Sequence, residues 1–257
     1  MKATITFLGT GTSQGIPIIG CTCQVCTSTD PRDQRLRCSM LLRSENTHIV
    51  IDTGPDFRSQ MLQAKNTKLD AILMTHEHND HIAGLDDVRP YNFMQWKDMP
   101  VYAQERVCDM LRLRYPYIFA EEKYPGAPMI ELHPIDRNDQ IQIGDFEITP
   151  VELLHGQLPI LGFRIKNFAY LTDMKTIPLA EVDKLAGLET LVVNALHHKE
   201  HHSHLNLEQA LEFVEQIKPK QTWLVHMSHH MGLHAEVNQQ LPAGVALAYD
   251  GLEISIS

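Results

Sequence analysis

Thr75-His76-Glu77-His78-Asn79-Asp80-His81 decides the reading of this chain, because seven consecutive residues carry three imidazoles and two carboxylates. The stretch follows Ala71-Ile72-Leu73-Met74, an apolar run that reads as a buried strand, and precedes a segment from Ile82 to about Phe93 that is compatible with a helix. The cluster is therefore expected on a strand-to-helix loop, where functional groups tend to be held. At a strand end His76 and His78 point the same way, since side chains alternate with a period of two, and both can hold one metal ion. Asp80 and His81 lie where the chain turns into the helix and can serve a second ion close by. This donor mixture suits Zn²⁺, Mn²⁺ or Fe²⁺ better than Ca²⁺ or Mg²⁺, which prefer all-oxygen shells. A solvated polar loop is the competing reading, and H-x-H-x-D-H straight after an apolar strand is far more specific than that.

The heptad resembles that of the metallo-β-lactamase superfamily, which implies an α/β fold, the αββα sandwich, with a two-metal centre. By this resemblance His76, His78 and His155 hold the first ion, Asp80, His81 and His226 hold the second, and Asp173 bridges them. His155 follows the strand-like Phe146-Glu147-Ile148-Thr149-Pro150-Val151, Asp173 closes Tyr170-Leu171-Thr172-Asp173, and His226 follows Trp223-Leu224-Val225. Each stands at the end of an apolar run. Asp52, after the strand-like His48-Ile49-Val50-Ile51, is expected to hydrogen-bond beneath the metal loop.

A length of 257 residues allows one domain with a large core, and nothing in the sequence marks a boundary, so residues 1–257 are read as one metallo-hydrolase domain. The 43% hydrophobic and 21% charged content is that of a globular protein, and no apolar run approaches a membrane span of about 20 residues. Thr4-Ile5-Thr6-Phe7-Leu8 reads as a strand, not a signal peptide, which leads to the expectation of a soluble, cytoplasmic protein. The net charge of -10, with no Lys/Arg run, argues against a long nucleic acid as substrate. A small anion remains compatible, because metal ions dominate the local charge of a site. The sequence leaves a homodimer open.

The glycine-rich Gly9-Thr10-Gly11-Thr12-Ser13-Gln14-Gly15 lacks a P-loop lysine and is expected to be structural. Thr176, Pro178 and Gly187 bracket a short helix. Leu207, Ala210, Leu211, Val214 and Ile217 fall on one face of another, with Asn206 as N-cap and Gln209 completing a capping box. Tyr115 to Pro128 is expected to be an ordered loop or lid.

Five cysteines are an awkward number for disulfides. Cys21-Thr22-Cys23-Gln24-Val25-Cys26 reads instead as three thiolate ligands on one tight turn, and a closed zinc site needs a fourth. His229 is the choice, and PhnP-type phosphodiesterases, which the chain resembles from the Gly-Thr-Gly loop to the C-terminal histidines, pair such a turn with a histidine placed like His229, three residues after His226. Cys38 and Cys108 are expected in the core.

Of the 15 histidines, a second concentration lies at His197-His198-Lys199-Glu200-His201-His202-Ser203-His204, between the strand-like Leu191-Val192-Val193-Asn194 and the capped helix. In the relatives that the chain resembles, a histidine just before this helix assists phosphodiester cleavage, and matching His-Ser-x-Leu-Asn selects His202, with His204 as competitor. The resemblance thus implies a metal-dependent phosphodiesterase acting on a small anionic diester, such as a cyclic ribose phosphate. Its cofactors are two active-site divalent ions, Zn or Mn or Fe, and one structural Zn. In the mechanism this implies, Asp80 is expected to orient the attacking water and His202 to protonate the leaving alkoxide or hydrogen-bond a phosphoryl oxygen. Arg35, Arg37, Arg58 and Lys175 are candidate anion contacts. Competing readings are a tRNA 3′-processing-type endonuclease, a thioester or lactone hydrolase of the same fold, and a non-enzymatic metal-binding protein. The first is expected to carry a basic arm, for which Gly156 to Thr172 leaves little room.

Overall fold

The structure is a computed structural model that describes residues 3–256. Its strands are β1 (Ala3–Gly9), β2 (Ser39–Arg43), β3 (His48–Ile51), β4 (Ala71–Leu73), β5 (Met99–Ala103), β6 (Ile130–Pro134), β7 (Ile141–Ile143), β8 (Phe146–His155), β9 (Leu158–Ile165), β10 (Phe168–Leu171), β11 (Thr190–Asn194), β12 (Gln221–Val225), β13 (Val245–Leu247) and β14 (Glu253–Ile256). Helices are α1 (Phe57–Gln63), α2 (Asn79–Ile82), α3 (Arg89–Gln95), α4 (Glu105–Arg114), α5 (Pro116–Phe119), α6 (Leu179–Val182), α7 (Leu207–Ile217) and α8 (His234–Gln240). The strands form two seven-stranded sheets, ordered β14-β1-β2-β3-β4-β5-β6 and β13-β12-β11-β10-β9-β8-β7.

Side-chain alternation builds the layers. Phe7, Met40, Leu42, Ile49, Ile51 and Leu73 of the first sheet meet Ile148, Phe163, Phe168, Tyr170 and Val192 of the second in one central core. The intervening residues Leu41, Val50 and Ile72 face outward, where they pack with residues of α1, α3 and α4. On the far side Leu171, Leu191, Val193 and Leu224 pack under Ala210 and Phe213 of α7 and Val237 of α8. Both faces of each sheet are covered, so the inner strands read as continuous apolar runs. This is the αββα sandwich.

The capping box of α7 is formed: Gln209 N donates to Asn206 Oδ1 at 2.9 Å and Asn206 N donates to Gln209 Oε1 at 3.3 Å. Two expectations are corrected. The helix read from Ile82 to Phe93 is broken into α2, a 3-10 turn at Leu85–Val88 and α3. Gly84 parts α2 from the 3-10 turn and Pro90 sits in the first turn of α3, and an unbroken helix would carry the chain away from the turn that Gly84 grips, where its N–H donates to the Thr53 carbonyl at 2.8 Å. Tyr115 to Pro128 is not irregular throughout, because α5 buries Ile118 in the outer core. No described helix is long and apolar enough to cross a membrane.

Candidate metal centre

The strand ends deliver the donors to one edge of the sandwich. His76 and His78 follow β4, His155 ends β8, Asp173 lies two residues beyond β10, and His226 directly follows β12. Asp52, Asp173 and His226 all have positive φ, at 64°, 59° and 59°. For residues with a Cβ this region costs energy, and three such residues around one spot are what a functional constraint produces.

Donor atoms within 4.8 Å of one another occur in overlapping groups: His76, His78 and His155; His76, His81 and Asp173; Asp80, His81 and His226; and His155, Asp173 and His204. Asp173 stands between the first and third groups. Its Oδ1 is 3.0 Å from His226 Nε2 and its Oδ2 is 3.4 Å from His81 Nε2. His81 Nε2 and His226 Nε2, the nitrogens that face Asp173, are nevertheless buried without a hydrogen-bond partner. Close approach without hydrogen-bond alignment is the pattern of atoms aimed at a shared third atom, and an unsatisfied buried polar group costs about 1–3 kcal/mol otherwise. Burial works against the charge of Asp173, but His226 and His81 outweigh it and hold its carboxyl well below the usual range. The residues therefore fit a pair of divalent ions.

Other side chains fix which nitrogen faces inward. His81 Nδ1 donates to Asp52 Oδ2 at 2.7 Å, leaving Nε2 free. Thr75 Oγ1 donates to the same carboxylate at 2.8 Å and so accepts from His76 Nδ1 at 2.9 Å. His155 Nδ1 donates to the Ser203 carbonyl at 2.8 Å. Such partners set tautomer and ring orientation in metal sites.

The sequence gives no sign of three further supports. Gly54 passes so close under the loop that a Cβ there would lie 2.1 Å from the Asp80 carbonyl oxygen. Arg106 of α4 donates to Glu77, between His76 and His78, and to the Pro159 carbonyl of β9 at 2.6 Å. It thereby ties the metal loop of the first sheet to the hairpin of the second that carries His155. Arg114, at the end of the same helix, donates to Asn79, so one helix grips two of the loop residues that lie between its candidate ligands.

The Gly-Thr-Gly loop holds the chain after His226: Thr12 N donates to the Met227 carbonyl at 3.0 Å and Met227 N to that of Thr10 at 3.1 Å. Beside it, His229 Nδ1 lies 3.4, 3.3 and 3.5 Å from the sulfurs of Cys21, Cys23 and Cys26. Zn–S bonds of about 2.3 Å and Zn–N bonds of about 2.0–2.1 Å give a tetrahedral S···N edge of roughly 3.6 Å, so the four residues fit a closed zinc site. A backbone N–H from Cys26 holds the Cys23 thiol down at about 6, whereas burial pushes that of Cys26 up to about 11. Cys38 and Cys108 are buried in the core.

His202 requires a correction. It is exposed, with its ring 4.4 Å from that of His201, and it belongs to none of the donor groups. His204 is the residue at the centre: it is 8% exposed, its ring stacks on His226 at 4.7 Å and tilts over His155 at 4.5 Å, and its Nδ1 is 3.8 Å from Asp173 Oδ1. Burial, then the neighbouring His226, pushes its pKa down to about 2. The anion contacts read from sequence are engaged elsewhere. Arg35 is buried against Thr10, the Ala248 carbonyl and His234, Arg37 pairs with Asp56, and Lys175 donates to Gln209. Arg58 lines an apolar groove beside α1 and α3.

Comparison with known proteins meets this geometry at the same residues. The sequence matches the beta-lactamase superfamily domain over residues 47–227, which takes in the heptad, His155, Asp173 and His226. The chain belongs to the metallo-β-lactamase superfamily. Within that superfamily it is PhnP-like: a crystal structure described as a new diphosphatase from the PhnP family superposes with a TM-score of 0.93 at 42% identity, covering 100% of this chain and 98% of that one. A Porphyromonas gingivalis protein named octanoyltransferase is 43% identical over 97% of this chain and 51% of its own length. A Macrococcus caseolyticus ribonuclease Z is 29% identical over 60% of this chain and 47% of its own. The chain thus spans about half the length of the curated relatives it matches. For this superfamily member, fold and donor set are those of a metal-dependent hydrolase.

Proposed function

We propose that the protein hydrolyses a phosphoric ester or anhydride bond in a small anionic substrate, using a pair of divalent ions held by His76, His78, His155, Asp80, His81, His226 and the shared Asp173. The observation that carries this reading is the position of Asp173, whose carboxylate approaches His226 and His81 of one set at 3.0 and 3.4 Å and also converges with His76 and with His155 of the other. The likeness to a PhnP-family diphosphatase supports a phosphoryl substrate. Bound there, divalent ions would supply Lewis acidity toward phosphoryl oxygens and lower the pKa of bound water.

The chain's own residues do the rest. Asp52 and Thr75 keep the Nδ1 protons of His81 and His76 on the outer side, so both rings present Nε2 to the centre. Asp80, whose Oδ2 is 3.3 Å from His81 Nε2, keeps a 14% exposed side chain and orients the attacking water. His204, over His155 and His226, supplies an N–H to the leaving oxygen or to a phosphoryl oxygen. Cys21, Cys23, Cys26 and His229 hold a structural zinc that anchors the segment after His226.

An RNA-processing reading finds less support, because His155 pairs with Leu158 across a tight hairpin where an RNA-binding arm would emerge, and the net charge is -10. Acyl thioester hydrolysis is the second reading, favoured by the likeness to a protein named octanoyltransferase. Initial rates on bis(4-nitrophenyl) phosphate, a dinucleoside diphosphate and an octanoyl thioester separate the two. Faster turnover of either phosphoryl compound is expected; turnover of the thioester alone would replace this reading with the second.

A further inference from the structure

The histidine-rich stretch before α7 is not used up by His204. From His226 a row of imidazoles leads outward: His204 at 4.7 Å between ring centroids, then His201 at 5.1 Å, His197 at 6.0 Å and His230 at 6.2 Å. His230 touches His229, Nε2 to Nε2, at 3.1 Å. Because His229 and His226 lie on one short segment, the row curves back on itself beside the metal centre. His197 and His201 are partly exposed and His230 is exposed, so all three can meet a ligand.

The spacing of the rings selects the ligand. Among the described residues, the groups whose donors converge within 4.8 Å include none of His197, His201 and His230. A zinc ion with Zn–N bonds of about 2.0–2.1 Å would draw nitrogens to within roughly 4 Å of one another, so the row is not built for a metal. With ring centroids 6.0 and 6.2 Å apart, His201 and His230 flank His197 at a spacing that lets one tetrahedral anion reach neighbouring rings through different oxygens, each hydrogen bond being about 2.8 Å long. Burial, then the neighbours His202 and His197, hold the His201 imidazole below its ordinary pKa, so it presents a neutral N–H. Arg35 and Arg37 are engaged elsewhere, and Lys175 donates to Gln209 with Glu200 3.9 Å away, so beside the exposed Lys199 of the same loop it is the imidazoles that this side of the centre offers an anion.

We infer that His197, His201 and His230 form an anion subsite for a second phosphoryl group, next to the one cleaved at the metal centre. The preferred substrate class is then a diphosphate rather than a simple diester. This rests on the phosphoryl-hydrolase reading and deepens it. The subsite grips the departing phosphoryl group through N–H donors, while the metal centre takes the scissile one.

The test uses the metal-loaded full chain and two substrates, a dinucleoside diphosphate and bis(4-nitrophenyl) phosphate, with inorganic pyrophosphate and inorganic phosphate as competing probes. In the double variant His197→Asn/His201→Asn, KM for the diphosphate and the inhibition constant of pyrophosphate should each rise about ten- to hundredfold, as expected when hydrogen bonds to a charged group are lost. Turnover of bis(4-nitrophenyl) phosphate and inhibition by phosphate should stay as in the parent protein, which also reports an intact fold. Equal losses on both substrates, or none on either, overturn the subsite while leaving the hydrolase reading intact. Loss of a metal equivalent in the variant overturns it in favour of metal binding. A parent protein that cleaves neither phosphoryl compound removes the hydrolase reading itself, and the subsite with it.

Discussion

Asp52 Oδ2 accepts from His81 Nδ1 at 2.7 Å and, at 2.8 Å, from Thr75 Oγ1, so one buried carboxylate orients two rings of the metal loop. Asparagine at this position keeps the shape but has one acceptor oxygen where the carboxylate uses two, Oδ2 for these bonds and Oδ1 for the Thr75 N–H at 2.8 Å. Asp52→Asn is therefore expected to weaken metal binding or turnover by about 10–100-fold, the usual cost of removing such a partner. Titration of apo protein with Zn²⁺ or Mn²⁺ checks this, and an unchanged affinity and rate would remove Asp52 from the account.

His204→Ala should discriminate between leaving groups. Proton or hydrogen-bond assistance is worth roughly 10²–10⁴-fold when a poor leaving group must depart, and nitrophenolate needs little of it. The kcat/KM of His204→Ala should drop steeply on an alkyl phosphodiester and far less on a nitrophenyl one, with metal content retained. His202→Ala, altering an exposed ring outside the donor groups, should leave both values near those of the parent protein. The reverse ranking of the two variants would return the role to His202.

Cys23→Ser should act on stability first. A closed zinc site contributes folding free energy and offers substrate no open position. A loss of even about 3 kcal/mol lowers the melting temperature of a chain of this size by roughly 6–12 °C. Calorimetry paired with zinc analysis reads it out. A variant that keeps its melting temperature and all its zinc would show that the Cys turn holds none.

The parts of the site visible in sequence are those whose geometry is local. The heptad places four donors within six residues, and His155, Asp173 and His226 stand at the ends of apolar runs, where a sandwich exposes its loops. His204 was harder to tell from His202, because residues of one type at alternate positions in a loop are sorted only by how the loop packs. Here the carbonyl of Ser203, between them, accepts from His155, and that contact turns His204 inward and His202 out. Gly54 and Arg106 left no trace, since each acts on a segment distant in sequence: Gly54 under Asp80, Arg106 on Glu77 and Pro159. The continuous helix expected after Ile82 failed for the same kind of reason, as Gly84 bends the chain to meet Thr53.

The most direct test of the central claim, that one carboxylate joins two metal ions into a hydrolytic centre, is metal analysis of Asp173→Ala beside the parent protein, both purified without a metal-binding tag. The parent should carry about three ions per chain, two at the His/Asp centre and one at the Cys turn. Asp173→Ala should keep the ion at the Cys turn, lose those of the centre and lose nearly all turnover. An Asp173→Ala protein that retains the full complement of metal and full activity would contradict the account.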